Sequence, residues 1–249
     1  MRDGLDLFRS KSLKRLPTGQ ELLSLKPGDA TAAFQRLSQL EQLAVIESTS
    51  DPRVREELYY LVPDGTDLVR SSRVESLVEI VSPYVGTGLA CGILSAVTPE
   101  QFAQMFERTA VHDGAVDPET AEMWVAELTE LEPEQLSGIL TGLDLDLLAE
   151  LLRGRVTLPG GGGRLMLDVG LLSLENIDFG GDEQAYMIAD MLWMSDPEMF
   201  LDVMRILGDE QEDAEESAYA EEDATQRREK ARRNAERLSD LLYSSKPSK

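Results

Sequence analysis

The stretch Thr129-Glu-Leu-Glu-Pro-Glu-Gln-Leu-Ser-Gly-Ile-Leu-Thr-Gly-Leu-Asp-Leu-Asp-Leu-Leu-Ala-Glu-Leu-Leu152 is Leu-rich, opens a helix at Glu132-Pro133 and closes on Glu-Leu-Leu. Proline just past an acidic or capping residue suits the first helical turn, because its missing N–H would find no partner there anyway. The same signal recurs at Asp51-Pro52, Thr98-Pro99, Asp117-Pro118 and Asp196-Pro197. Apolar residues at helical spacing follow each one, such as Phe102, Met105 and Phe106, or Phe200, Val203 and Met204. Only Val156 to Leu158 and Leu165 to Val169 hint at extended chain.

Working outward, the stretch has relatives within the chain. Glu134-Gln-Leu-Ser-Gly-Ile139, followed by Asp144 and Glu150-Leu151, aligns with Glu41-Gln-Leu-Ala-Val-Ile46, followed by Asp51 and Glu57-Leu58. Glu100-Gln101-Phe102 repeats the opening, and Pro197-Glu-Met-Phe200 echoes Pro99-Glu-Gln-Phe102. A single helix pair cannot bury its own apolar face, whereas stacked pairs can. The expected fold is therefore all-α: short helical repeats stacked as a superhelix or α-solenoid, with a C-terminal helical extension. Composition agrees, since aromatics are only 6% while helix formers abound.

The organisation expected along the chain is a basic amphipathic arm over residues 1–28, a helical-repeat domain over 29–155, and a loop with a Met-rich helical region over 156–207. An acidic hinge over 208–223, a C-terminal helix over 224–243 and a disordered tail over 244–249 complete it. In the arm, Arg9, Lys11, Lys14 and Arg15 alternate with Leu5, Leu7, Phe8, Leu13 and Leu16, a pattern open to docking or to packing on the body. Pro159-Gly-Gly-Gly-Gly163 marks a flexible boundary, and its flanks are wrong for a phosphate-binding loop.

The repeated pattern of Pro-Glu-x-Leu starts and Glu-Leu-Leu ends, best in 129–152 and weaker in 29–62 and 95–110, resembles the cytosolic N domain of MgtE-type magnesium transporters. That family domain is a right-handed helical superhelix, related in packing to flagellar motor-switch proteins. With Glu57-Leu-Tyr-Tyr-Leu61 and Ser195-Asp-Pro-Glu-Met-Phe-Leu201, the chain also resembles a bacterial family carrying that fold without the transporter's membrane region. The resemblance implies a superhelix over roughly 29–155. No transmembrane region or nucleotide-sensing module follows, so channel activity is not expected, and no magnesium-sensing residues carry over.

The net charge of -23 disfavours nucleic acid and membrane surfaces, which need a basic face. No apolar run approaches a membrane span, and the N-terminus lacks an apolar signal core. One cysteine, Cys91, permits no intrachain disulfide and reads as a small buried hydrophobe. A cytoplasmic location is the expectation.

Chemistry-bearing patterns are sparse. His112 is the single histidine and reads as a loop residue; without His and Cys partners there is no zinc site, catalytic triad or cofactor motif. Glu127, Glu130, Glu132 and Glu134, with Asp144, Asp146 and Glu150, read as a solvated acidic face with room for weak divalent-cation binding. Five of nine methionines, Met187, Met191, Met194, Met199 and Met204, lie close together with Trp193. Their spacing fits a helix face turned into the core or, alternatively, a partner groove or oligomer seam. In the terminal helix, Ala231, Ala235, Leu238 and Leu242 form an apolar stripe beside Arg227, Arg228, Lys230, Arg232 and Arg233. That helix can dock on the acidic body or reach another chain.

The expected function is a non-enzymatic protein–protein interaction or scaffolding module without cofactor, binding another protein or itself through Met187, Met191, Trp193, Met194, Arg227, Arg228, Arg232 and Leu238. The alternatives are a magnesium- or calcium-responsive regulatory module and an enzyme using carboxylates alone.

Overall fold

The structure, a computed structural model, describes residues 15–159 and 172–244. The chain is all-α. Its helices are α1 (Gly19–Leu23), α2 (Pro27–Gln35), α3 (Gln39–Ser48), α4 (Pro52–Tyr59), α5 (Thr66–Ser71), α6 (Val74–Val81), α7 (Cys91–Leu94) and α8 (Pro99–Ala110). They continue with α9 (Pro118–Thr129), α10 (Pro133–Leu140), α11 (Leu145–Leu152), α12 (Glu183–Ser195) and α13 (Pro197–Ser244). Among the described residues the strands form one antiparallel hairpin, Val111–His112 with Ala115–Val116, turning at Asp113-Gly114.

Local sequence sets where these helices begin. Every proline start quoted above opens a helix: α4, α8, α9, α10 and α13. Thr18, Ser38 and Thr98 each accept from the N3 amide while the N3 Glu or Gln reaches back, a reciprocal capping box. Asp51, Asp117, Asp144 and Asp182 cap their helices through the carboxylate. Gln101 does two jobs: its Oε1 accepts from Thr98 N–H at 3.0 Å, and its Nε2 donates to the Val69 and Ser72 carbonyls at 3.0 and 3.1 Å. One side chain thus starts α8 and closes the C-terminus of α5.

From α8 onward each helix rests on the helix two places earlier, which makes two rows: α4, α6, α8, α10, α12 and α7, α9, α11, α13; α3 and α5 form a further pair. Neighbours such as α8 with α9 and α12 with α13 close the rows onto each other. The buried apolar residues, from Leu22 to Leu207, form one continuous cluster. At its centre Trp124 is fully buried, edge-on to Phe102 at 5.4 Å, with its indole N–H donating to Thr109 Oγ1 at 2.9 Å. Arg55 of α4 is buried against α6, donating to Ser76 Oγ at 2.7 Å and pairing with Glu79, while its Nε has no partner among the described residues.

The internal match between residues 41–58 and 134–151 falls on α3–α4 and α10–α11, each a pair of consecutive helices. Two expectations change. The body begins inside the expected arm, because α1 buries Leu22 and packs on α4; the arm's Leu5, Leu7, Phe8, Arg9, Lys11, Leu13 and Lys14 lie outside the described residues. The acidic segment 208–223 is not a hinge or loop but part of α13. Its Glu, Gln and Ala are strong helix formers, and no proline interrupts them. The first turns of that run are tied to the body: Arg153 pairs with Glu210 at 2.6 Å, and Gln211 donates to the Val156 carbonyl at 2.9 Å and accepts from Leu158 N–H at 3.1 Å.

Val156–Leu158 is extended as expected, Thr157 bridging to Asp178. Leu165 to Val169, the glycines from Gly160 to Gly163 and the tail 245–249 lie outside the described residues.

Candidate functional site

Helix α12 carries two apolar faces. Ala185, Ile188, Ala189 and Leu192 are buried in the core. Met187, Met191 and Met194, one and two turns apart, follow another line: Met187 is 43% and Met194 74% exposed, with Met191 half-buried between them. Tyr186 is 47% exposed beside them. The core-face reading is therefore corrected for Met187 and Met194, whereas Met191 packs partly against the core. The smaller Ala and branched Ile and Leu fill the core side, Met187 and Met194 take the outer side, and Met191 lies at the edge between them. Met199 is half-buried and Met204 fully buried on α13.

This outer face is held rigidly. Asp182 caps α12, accepting from Gln184 and Ala185 amides at 3.1 and 3.0 Å, and pairs with Arg155 at 2.7 Å. The Ser137 and Ser195 hydroxyls meet at 2.8 Å, tying its far end to α10. Trp193 is half-buried and edge-on to Phe200 at 5.2 Å, which links α12 to α13. Phe179 lies edge-on to Tyr186 at 5.4 Å.

From Asp213 to Glu229, every side chain described on α13 is exposed, Tyr219 at 70%. Of the terminal-helix residues named from the sequence, Arg228 is exposed, whereas the side chains of Arg227, Arg232 and Leu238 lie outside the described set. The structure thus places the methionines together on α12 and the arginines many turns further along α13.

Sequence reasoning missed Glu127. Read as part of a solvated acidic face, it is fully buried, while Glu130, Glu132, Glu134, Asp144 and Asp146 are exposed and Glu150 is half-buried. The loop before α7 wraps its carboxylate: Gly86 and Gly88 amides donate to Oε2 at 3.0 Å each, and the Ala90 amide to Oε1 at 2.7 Å. Gly86 and Gly88 have φ of 80° and 74°, the left-handed region that glycine enters freely. The signal was the spacing of Gly86, Gly88 and Gly92 in one short segment. Held this way, the loop leaves Leu89 67% exposed. Of the adjacent tyrosines, Tyr59 is buried with its hydroxyl 2.7 Å from Ser72 Oγ, and Tyr60 is exposed.

Cys91 lies half-buried beside this carboxylate, its Sγ 3.4 Å from Oε1. Burial, then the hydrogen bond to Glu127 and its charge, push the thiol up to about 11. Thiolate is the reactive form, so at about pH 8 its fraction falls roughly a hundredfold below that of a free cysteine. Reaction with a chromogenic disulfide reagent is expected to be slower by about that factor in the folded chain than in urea, and to accelerate as pH rises. Equal folded and unfolded rates at pH 8 would contradict this geometry.

The remaining chemistry is paired or dispersed. An open cleft of about 340 Å³ is lined by Val116, Glu122, Glu150, Arg153, Arg155 and Asp182. Its Asp182 pairs with Arg155, and Glu150 with Arg153. Among the described residues, no three His, Cys, Asp or Glu side chains gather as a metal-holding group. His112 is exposed in the hairpin rather than in a loop. No described helix is long and apolar enough to cross a membrane. Comparison with protein-family models, with curated proteins and with solved structures returned no match to this chain.

Proposed function

We propose that this chain is a non-enzymatic protein–protein interaction or scaffolding module of a cytoplasmic assembly. The observation that carries the reading is the outer face of α12. Tyr186, Met187 and Met194 are large, apolar and exposed within three turns of one helix. Isolated exposed apolar residues are ordinary, but a contiguous set on a braced helix is what protein-binding surfaces use. Methionine suits such a surface because its unbranched, polarizable chain adapts to a partner's shape. A stack of short helices, as in the transporter N domain that the sequence resembles, is a natural frame for such a face.

The test is capture from a lysate of the native host with the full chain and with a Met187→Glu/Met194→Glu variant. Both substitutions fall on exposed positions, so stability is expected to change by only about 0.5 kcal/mol. The full chain is expected to retain a stoichiometric partner that the variant loses. Identical capture by both proteins would remove the face from the proposal, and no capture by either would sink the interaction reading itself.

A further inference from the structure

The loop before α7 holds an apolar side chain outward. Glu127 fixes its backbone through the Gly86, Gly88 and Ala90 amides, and Leu89, between the last two, stays 67% exposed. The glycines let side chains from two other helices lie against the loop. A Cβ on Gly86 would stand 2.9 Å from Met123 Cγ of α9, and one on Gly92 would overlap the hydroxyl of Tyr60, just past α4. Met123 is 39% and Tyr60 57% exposed. Three large apolar side chains from separate parts of the chain thus open to solvent along one short, braced loop. Single exposed apolar residues are ordinary, but a gathered set marks an interaction surface.

The surroundings of this patch are acidic. The Tyr60 hydroxyl donates to Glu56 at 3.4 Å, a Cβ on Gly88 would meet Glu130 Cγ at 3.9 Å, and exposed Glu119 lies one turn before Met123. No basic side chain pairs with these three among the described residues. Between Arg73 and Arg153 the chain holds fifteen Asp and Glu and one Lys or Arg, namely Arg108, which pairs with Glu75 at 2.8 Å. We propose that Tyr60, Leu89 and Met123 form a docking surface for a basic amphipathic segment of another protein, separate from the methionine face of α12. The apolar side chains of that segment cover the patch, and its Lys or Arg residues meet Glu56, Glu119 and Glu130. A second copy of this chain fits poorly, because a two-fold contact would set one acidic rim against the other. An anionic surface is repelled by the same carboxylates. Glu127 already holds the loop in place, so binding requires little ordering of the surface.

The probe is a fluorescently labelled helical peptide with Leu on one face and Lys on the other, titrated with the purified full chain and read by anisotropy. Saturable one-to-one binding is expected at about 0.1 M salt, weakening at about 0.5 M as the rim charges are screened. Leu89→Ser/Met123→Ser is expected to weaken binding about tenfold, and Glu119→Lys/Glu130→Lys likewise. All four positions are exposed, and thermal melts check that both variants fold. A peptide with Ser in place of Leu, at the same charge, is expected to lose the binding. No binding by the full chain overturns the proposal. So does equal affinity for the two peptides, or for the parent chain and its Leu89→Ser/Met123→Ser variant, since attraction to the overall negative charge would then suffice. Dimerisation of the chain alone that this variant abolishes would assign the patch to a second copy and overturn it too. Met187→Glu/Met194→Glu is expected to leave peptide binding intact. Loss of binding in that variant would instead place the peptide on α12, so failure here and failure of the methionine face are told apart.

Discussion

Replacing Glu127 with alanine is expected to destabilise the fold by about 3–5 kcal/mol, among the largest losses any single polar substitution can cause here. The side chain is fully buried and accepts three backbone amides, those of Gly86, Gly88 and Ala90. Alanine would leave all three donors inside the protein without a partner, and each orphaned donor costs about 1–3 kcal/mol, less than additively for neighbours. Glu127→Gln keeps the shape but brings an NH₂ against amides that also donate, so a smaller loss of about 2 kcal/mol is expected. Urea unfolding measures both, and amide exchange at Gly86, Gly88 and Ala90 localises the effect. An unfolding midpoint unmoved by the alanine variant would mean that the loop does not depend on this carboxylate.

Trp124→Ala, one turn earlier on α9, is expected to cost about 3–5 kcal/mol for a different reason. The indole is fully buried, edge-on to Phe102 and 6.5 Å from Phe106. Removing it opens a cavity between α8 and α9, and the stacked rows leave little room to collapse into it. The hydrogen bond to Thr109 is lost as well. Trp124→Phe, retaining most of the ring area, is expected to recover more than half of the loss. A midpoint shift equivalent to less than about 1 kcal/mol for the alanine variant would contradict the central place given to this ring.

Much of the fold was legible because helix starts are local events. Asp51-Pro52 or Thr98-Pro99 contains its own instruction: a capping oxygen, a residue without an N–H, and a Gln or an apolar run just beyond. What could not be read was anything decided across the chain. Glu127 meets amides 37–41 residues away, and nothing adjacent to it distinguishes it from the exposed Glu130. The methionine spacing on α12 defined a face but not its direction, because the helix has a second apolar face made of Ala185, Ile188, Ala189 and Leu192. The run from Gly208 to Asp223 misled through its charge. Repulsion between neighbouring carboxylates costs only a few tenths of a kcal/mol per pair, which does not outweigh good helix formers continuing an anchored helix.

The final helix is rooted in the core by Phe200, Val203, Met204 and Leu207 and continues without a break to Ser244. It is therefore a ruler as well as a surface. With a rise of about 1.5 Å per residue, the part beyond Asp213 spans roughly 45 Å, and an unbroken helix holds that length far better than a coil would. Whatever meets its tip is kept at a set distance from the stacked body. A single proline or a four-residue deletion midway would alter the spacing between whatever the two ends hold, leaving the body's own contacts untouched.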